Sequence, residues 1–196
     1  MYYVSEEESP FMNPKIQTIT RSGILLALLL VFQGLTRGLP TLVTGSCVNF
    51  VLGMSSYLCG LGGGLAVAFL SPLFAFLFGI GPQFFGIIPF VAAGNFLFVF
   101  VLSVFGYRGI RKKKFTLRAF SVLLAAVLKF LFLYLTIVKL VLPALGLPDA
   151  KVAAMSAMFS FPQLLTALIG GGASSVLMML LPSGLQKNTG KTGKKE

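Results

Sequence analysis

From Tyr107 to Arg118 the chain carries six Arg or Lys residues in twelve positions, and long apolar runs flank this stretch on both sides. At the centre of a membrane-spanning helix each such cation costs about 2.5–3.5 kcal/mol. The stretch is therefore predicted to be a loop in water. Short basic loops stay on the cytoplasmic face, so this one sets the orientation of the apolar runs around it. A nucleic-acid patch is the competing reading of a basic run. No soluble domain surrounds this one, which argues against a nucleic-acid partner.

The runs dominate the composition: 56% of the 196 residues are hydrophobic and only 11% are charged, with a mean hydropathy of +0.92. A soluble domain carries about 25% charged residues, so the sequence is that of a membrane protein. The net charge of +11 is then a topological signal. Cys47 and Cys59 both fall in apolar segments and His is absent, which argues against a disulfide framework and against a His or Cys metal site. Without His there is no Ser-His or Cys-His pair, and no two carboxylates share an apolar run, so the chain is not expected to be an enzyme. Gly190-Lys-Thr192 resembles the end of a phosphate-binding loop, but Gly184 stands one position too far upstream and no strand precedes it. No nucleotide or other cofactor is expected in this chain.

A span needs about twenty residues to cross a hydrocarbon core of about 30 Å. Six candidates read at roughly 22–39, 42–59, 61–80, 84–106, 115–142 and 152–181. The second is the weakest, diluted by Thr44, Ser46, Asn49, Ser55 and Ser56. Parity retains it. With six crossings, 12 of the 16 Lys and Arg residues are cytoplasmic, leaving Arg37, Lys129, Lys139 and Lys151; with five, the basic loop would lie outside. The expected fold is an all-α membrane protein of six transmembrane helices with both termini cytoplasmic. Residues 1–21 form a cytoplasmic leader, 22–182 the six-helix domain and 183–196 a basic cytoplasmic tail. A secretory signal is disfavoured by Glu6, Glu7 and Glu8 and by the lack of an Ala-x-Ala site after Phe32.

Small residues recur at four-residue spacing: Gly23 and Ala27, then Gly60, Gly64 and Ala68, then Ala167, Gly171 and Ser175. Such faces let helix backbones approach, either within the bundle or against another membrane protein. Pro72, Pro89 and Pro162 fall inside the expected spans, where they would bend helices.

Polar groups within the apolar runs are expensive and point to a site. Gln33, Arg37, Gln83, Tyr134 and Gln163 fall in the outer half on this topology, and Asn49, Asn95 and Lys129 near the middle. Thr136 lies seven residues beyond Lys129, on nearly the same helical face. Together they suggest a pocket opening outward, lined by amides, a hydroxyl and cations; bonding of Asn49 and Asn95 across helices is the plainer alternative. No intramembrane acid is present to pair Lys129, so its counter-charge is a ligand or its amine is neutral. The lack of an acidic relay also argues against proton or sodium coupling.

Thr44-Gly-Ser-Cys-Val-Asn49, Gly60-Leu-Gly-Gly-Gly64, Leu70-Ser-Pro-Leu73, Gly79-Ile-Gly-Pro82 and Ile88-Pro89 leading to Gly94-Asn95 resemble the S components of energy-coupling factor (ECF) transporters, as does the opening from Arg21 to Leu30. The resemblance implies an S-component-like bundle in a bacterial plasma membrane that binds a vitamin or related micronutrient from outside. It also implies a T component and two ATPase subunits as partners, which would use the ATP. Family members often carry Ala-x-x-x-Ala on the first helix for docking the T component; here Gly23 and Ala27 hold that spacing and Val31 takes the next repeat. The 36–44 loop corresponds to the family's gating loop. A stand-alone facilitator or channel, or a ligand-free scaffold, would need no such partners.

Overall fold

The computed structural model describes residues 13–181 apart from 82 and 113. The first twelve residues of the expected leader and the whole expected tail, 183–196, lie outside the described residues. Among those described, every regular element is a helix, and six helical stretches are long and apolar enough to cross a membrane.

The first span, Pro14–Leu35, begins inside the expected leader. Asn13 caps it by accepting a hydrogen bond from the Lys15 N–H at 3.0 Å, and Pro14 occupies the first turn, where its missing N–H is not needed. The second span is Thr41–Leu58 and the third Gly60–Leu77. Only Cys59 separates them, and Gly60 turns the chain with φ +65°, a conformation that costs glycine little.

The fourth span, Phe85–Ile110, opens with a 3-10 turn at Phe85–Ile87, continues as Ile88–Val101, widens to a π-turn at Leu102–Gly106 and closes as Tyr107–Arg111. The fifth, Phe115–Ala144, is α-helical over Phe115–Leu133 and π-helical over Tyr134–Val141. The sixth, Asp149–Leu180, is two helices, Asp149–Met158 and Phe161–Leu180.

Two expectations change. The basic stretch 107–118 is not a long loop: helix runs through Arg111 and resumes at Phe115. Helix ends can carry these cations because the backbone is satisfied internally while long side chains reach for water. Pro89 and Pro162 also do not bend helices from inside; each stands in the first turn of one. Pro72 alone of the three is interior. It supplies no N–H to the Ala68 carbonyl, which instead has the Ser71 hydroxyl at 3.5 Å.

The second span, weakest in apolar content, is the centre of the bundle. It packs against the first, third, fourth and sixth. Asn49 and the run from Val51 to Tyr57 are buried, and the Ser55 and Ser56 hydroxyls donate to the Leu52 and Gly53 carbonyls at 2.8 and 2.7 Å. Asn49 and these serines are thus satisfied within the protein rather than exposed to lipid, while the Tyr57 hydroxyl is buried with no hydrogen-bond partner among the described residues. Its contact with the sixth span is nearly backbone to backbone. A Cβ on Gly45 would meet Thr166, one on Gly53 would meet Ser174, and one on Gly170 would lie 2.5 Å from both the Phe50 nitrogen and the Ser46 oxygen. The expected small face of Ala167, Gly171 and Ser175 is buried as well, with Gly171 against Phe98 and Val122 of the fourth and fifth spans. Gly64 likewise packs on Val99 and Ser56.

Candidate binding site

A cavity of about 260 Å³ lies at the end of the bundle opposite the basic turn. All six spans contribute to it, together with the connections at 36–40 and 78–84.

Its floor is built from three helices. Asn49 on the second span, Asn95 on the fourth and Lys129 on the fifth are 1%, 3% and 3% exposed. The Lys129 amine donates to Asn49 Oδ1 at 2.6 Å and to Asn95 Oδ1 at 2.7 Å, and it stands 5.4 Å from the centre of the Phe98 ring. Lys129 therefore has hydrogen-bond partners in the protein, although the sequence offers it no intramembrane acid. They are neutral amide dipoles, not a counter-charge. An ammonium has three donors, and the third has no acceptor among the described residues. Asn49 is held in turn: its Nδ2 donates to the Gly45 carbonyl at 2.9 Å and to Thr166 Oγ1 at 3.2 Å, and the Thr166 hydroxyl donates to the Gln163 carbonyl at 3.1 Å. The close approach at Gly45 and Gly170 is what brings Asn49 into reach of the sixth span.

The walls carry further polar groups. Gln33 faces the cavity, and its Oε1 is buried with no hydrogen-bond partner among the described residues. Gln163 also lines it, and its Nε2 donates to the Met158 carbonyl at 3.1 Å, across the break in the sixth span. That break brings Phe159 to the wall. At the rim Arg37 is exposed, and Gly38, Gly79 and Gly81 turn the two connections with φ +89°, +69° and +78°. The Thr44 hydroxyl donates to the Thr36 carbonyl at 3.0 Å, tying the 36–40 connection to the second span.

Of the residues singled out from sequence, Gln33, Arg37, Asn49, Asn95, Lys129 and Gln163 converge on this cavity. Gln83 and Tyr134 do not line it. Gln83 is exposed, with its Nε2 3.4 Å from the Gly81 carbonyl. Tyr134 lies beside Phe130, with the Lys139 amine 5.5 Å from its ring. Five residues of α-helix beyond Lys129 is a turn of about 500°, which carries Tyr134 to another face. Thr136 is also off the wall, because the helix widens from Tyr134 onward, and its hydroxyl donates to the Phe132 carbonyl at 2.6 Å. Thr36, Ser71, Pro72 and Phe159 also line the cavity, and the sequence does not single them out individually. The Ser160-Phe-Pro162 order could have found Phe159, since proline after a serine marks a new helix start.

Gly23 and Ala27 lie elsewhere. Both are exposed on the outside of the bundle, and a Cβ added to Gly23 would meet nothing within 4 Å. Among the described residues no group of three or more His, Cys, Asp or Glu gathers to hold a metal.

None of the curated proteins and none of the solved structures matches the chain. A family model does match, that of the ECF transporter substrate-specific component, and it covers residues 17–182. Members of that family are transport-specificity subunits, not enzymes, and they act in a complex with a T component and ATPases. With six apolar helices and a match over nearly its full length, the chain belongs to the substrate-specific, or S, components of ECF transporters, a family of multi-pass membrane proteins.

Proposed function

We propose that this S component captures a small anionic micronutrient, of the vitamin class, from outside a bacterial cell. The observation that carries the proposal is Lys129. Its amine is enclosed at the floor of the cavity, oriented by two amide oxygens, with one donor left for a ligand. Buried charge needs a partner, and hydrogen bonds to an ionised group contribute about 1.5–3 kcal/mol against about 1 for neutral pairs. A carboxylate seated on Lys129 would complete the ammonium's bonding without disturbing either asparagine. The unpartnered Gln33 Oε1 calls for a hydroxyl or N–H donor on the same molecule. Arg37 at the rim adds attraction at the entrance.

The proposed orientation puts the cavity outside and the basic 107–118 stretch, with both termini, in the cytoplasm, following the Lys and Arg distribution. Gly23 and Ala27 would then form part of the surface that meets the T component. Two ATPase subunits would supply the energy, and no cofactor would be held by this chain.

Uptake in cells and native mass spectrometry of the purified chain test the reading together. A small anion that co-purifies, and whose uptake requires the T component and ATPases, is the expected result. Uptake by this chain alone would point to a facilitator instead. A bound cation would overturn the role given to Lys129.

A further inference from the structure

At the opposite end of the bundle, Arg118 is a second enclosed cation, and the cavity does not account for it. It is 5% exposed, its Nε is buried without a hydrogen-bond partner, and it makes no ion pair among the described residues. The acid among those residues, Asp149, begins the sixth span at the far end of the molecule.

The guanidinium has a definite direction. Its carbon lies 5.8 Å from the centre of the Phe115 ring, and Phe115 is the first residue of the helix that carries Arg118. The side chain thus reaches back over the helix N-terminus, as helical side chains do. Gly109 gives room for its stem: a Cβ there would lie 2.7 Å from Arg118 Cγ.

That N-terminus is uncapped. Lys114 at the cap makes no side-chain hydrogen bond, and no acid stands in the first turn. The first returning bond is Arg118 N–H to the Lys114 carbonyl at 3.3 Å, which leaves the N–H groups of residues 115–117 without intrahelical acceptors. Arg108, Lys112 and Lys114 are exposed around it. Open helix N–H groups, the positive end of the helix dipole and a guanidinium without an acceptor make a site for a phosphate oxygen.

We infer that this end of the fifth span holds the phosphate of an anionic phospholipid. The lipid is favoured over free phosphate by what lies beside the site: Phe115 is 74% exposed, and Phe120 and Leu123 are exposed along the same helix, giving acyl chains an apolar surface next to the headgroup. Anionic headgroups are drawn to basic segments at membrane surfaces.

The test uses the full chain in bilayer discs of phosphatidylcholine with and without phosphatidylglycerol, followed by detergent extraction and native mass spectrometry. The wild type is expected to retain phosphatidylglycerol. Arg118→Gln should lower that occupancy at least about tenfold, while Lys112→Gln, which removes the same charge from the surface, should not. Thr116→Glu supplies an internal carboxylate to the open N–H groups; it should displace the lipid while leaving the helix at least as stable, so it reports even if Arg118→Gln folds poorly. Equal retention by wild type, Arg118→Gln and Thr116→Glu overturns the inference. So does Arg118-dependent binding of inorganic phosphate by lipid-free protein with no preference for phosphatidylglycerol. Loss of T-component binding in Arg118→Gln with lipid retention intact would assign the guanidinium to a protein carboxylate and also overturn it.

Discussion

Gly170 lies against Asn49 so closely that a Cβ on the glycine would come within 2.7 Å of the asparagine Cβ. This approach sets the second span on the sixth at the level of the cavity floor, and so helps to place the amide that receives Lys129. Alanine favours a helix over glycine by about 1 kcal/mol, but here its methyl would strike backbone atoms of Ser46 and Phe50. Overpacking costs about 1–3 kcal/mol, so Gly170→Ala is expected to lower the thermal unfolding midpoint in detergent and to weaken ligand binding. Gly172→Ala is the control, because a Cβ there meets nothing within 4 Å. It should leave the midpoint unchanged or raise it. Equal midpoints for the two variants would mean that the two spans separate at little cost.

The Lys129–Asn95 bond yields a second expectation. Lys129→Met keeps most of the apolar stem and deletes the charge; affinity for the native ligand should fall at least about tenfold, or 1.4 kcal/mol. Asn95→Leu leaves the amine with one fewer acceptor and should destabilise the unliganded protein. Removing both partners of a buried hydrogen bond costs less than removing one, so Lys129→Met with Asn95→Leu should recover stability without recovering binding. A double-mutant cycle of unfolding midpoints and binding isotherms measures both. A loss of affinity smaller than tenfold in Lys129→Met would remove Lys129 as the anchor.

Six spans could be read from charge and length because the bilayer imposes both. The cavity floor was legible where it rests on cost: Asn49, Asn95 and Lys129 are expensive in hydrocarbon, and they meet. What escaped depends on local helix geometry. The π-helical stretch at Tyr134–Val141 leaves no mark in apolar periodicity, yet it keeps Thr136 off the cavity wall. The break at Phe159 and Ser160 hides within a run that reads as one span. The chemistry of Tyr134 and Gln83 suits a site, but neither lines the cavity, and Gln83 is exposed.

The orientation predicts labelling. Cysteines placed at Lys113 and Lys194, after removal of Cys47 and Cys59, should resist membrane-impermeant thiol reagents in intact cells and react once the membrane is permeabilised. A cysteine at Arg37, at the cavity rim, should react from outside. Reaction of the Lys113 or Lys194 position in intact cells would reverse or break the six-span topology.

The outward placement of Gly23 and Ala27 predicts separable effects on assembly and binding. The exposed face of the first span carries both residues, with Ile24 and Val31 beside them, and an added Cβ at Gly23 meets nothing in the bundle. Ala27 is exposed on that face, so Ala27→Leu should leave folding and ligand affinity unchanged. Against a partner helix, the same four-residue spacing of small groups allows close backbone approach, and the leucine would hold the helices apart. Co-purification of the T component with the Ala27→Leu chain is therefore expected to fall at least about tenfold, or 1.4 kcal/mol. ATP-dependent uptake should fall with it, while binding to the isolated subunit persists. Undiminished assembly would move the docking surface to another face of the bundle, and a matching loss of ligand binding would show that Ala27 supports this chain's own packing.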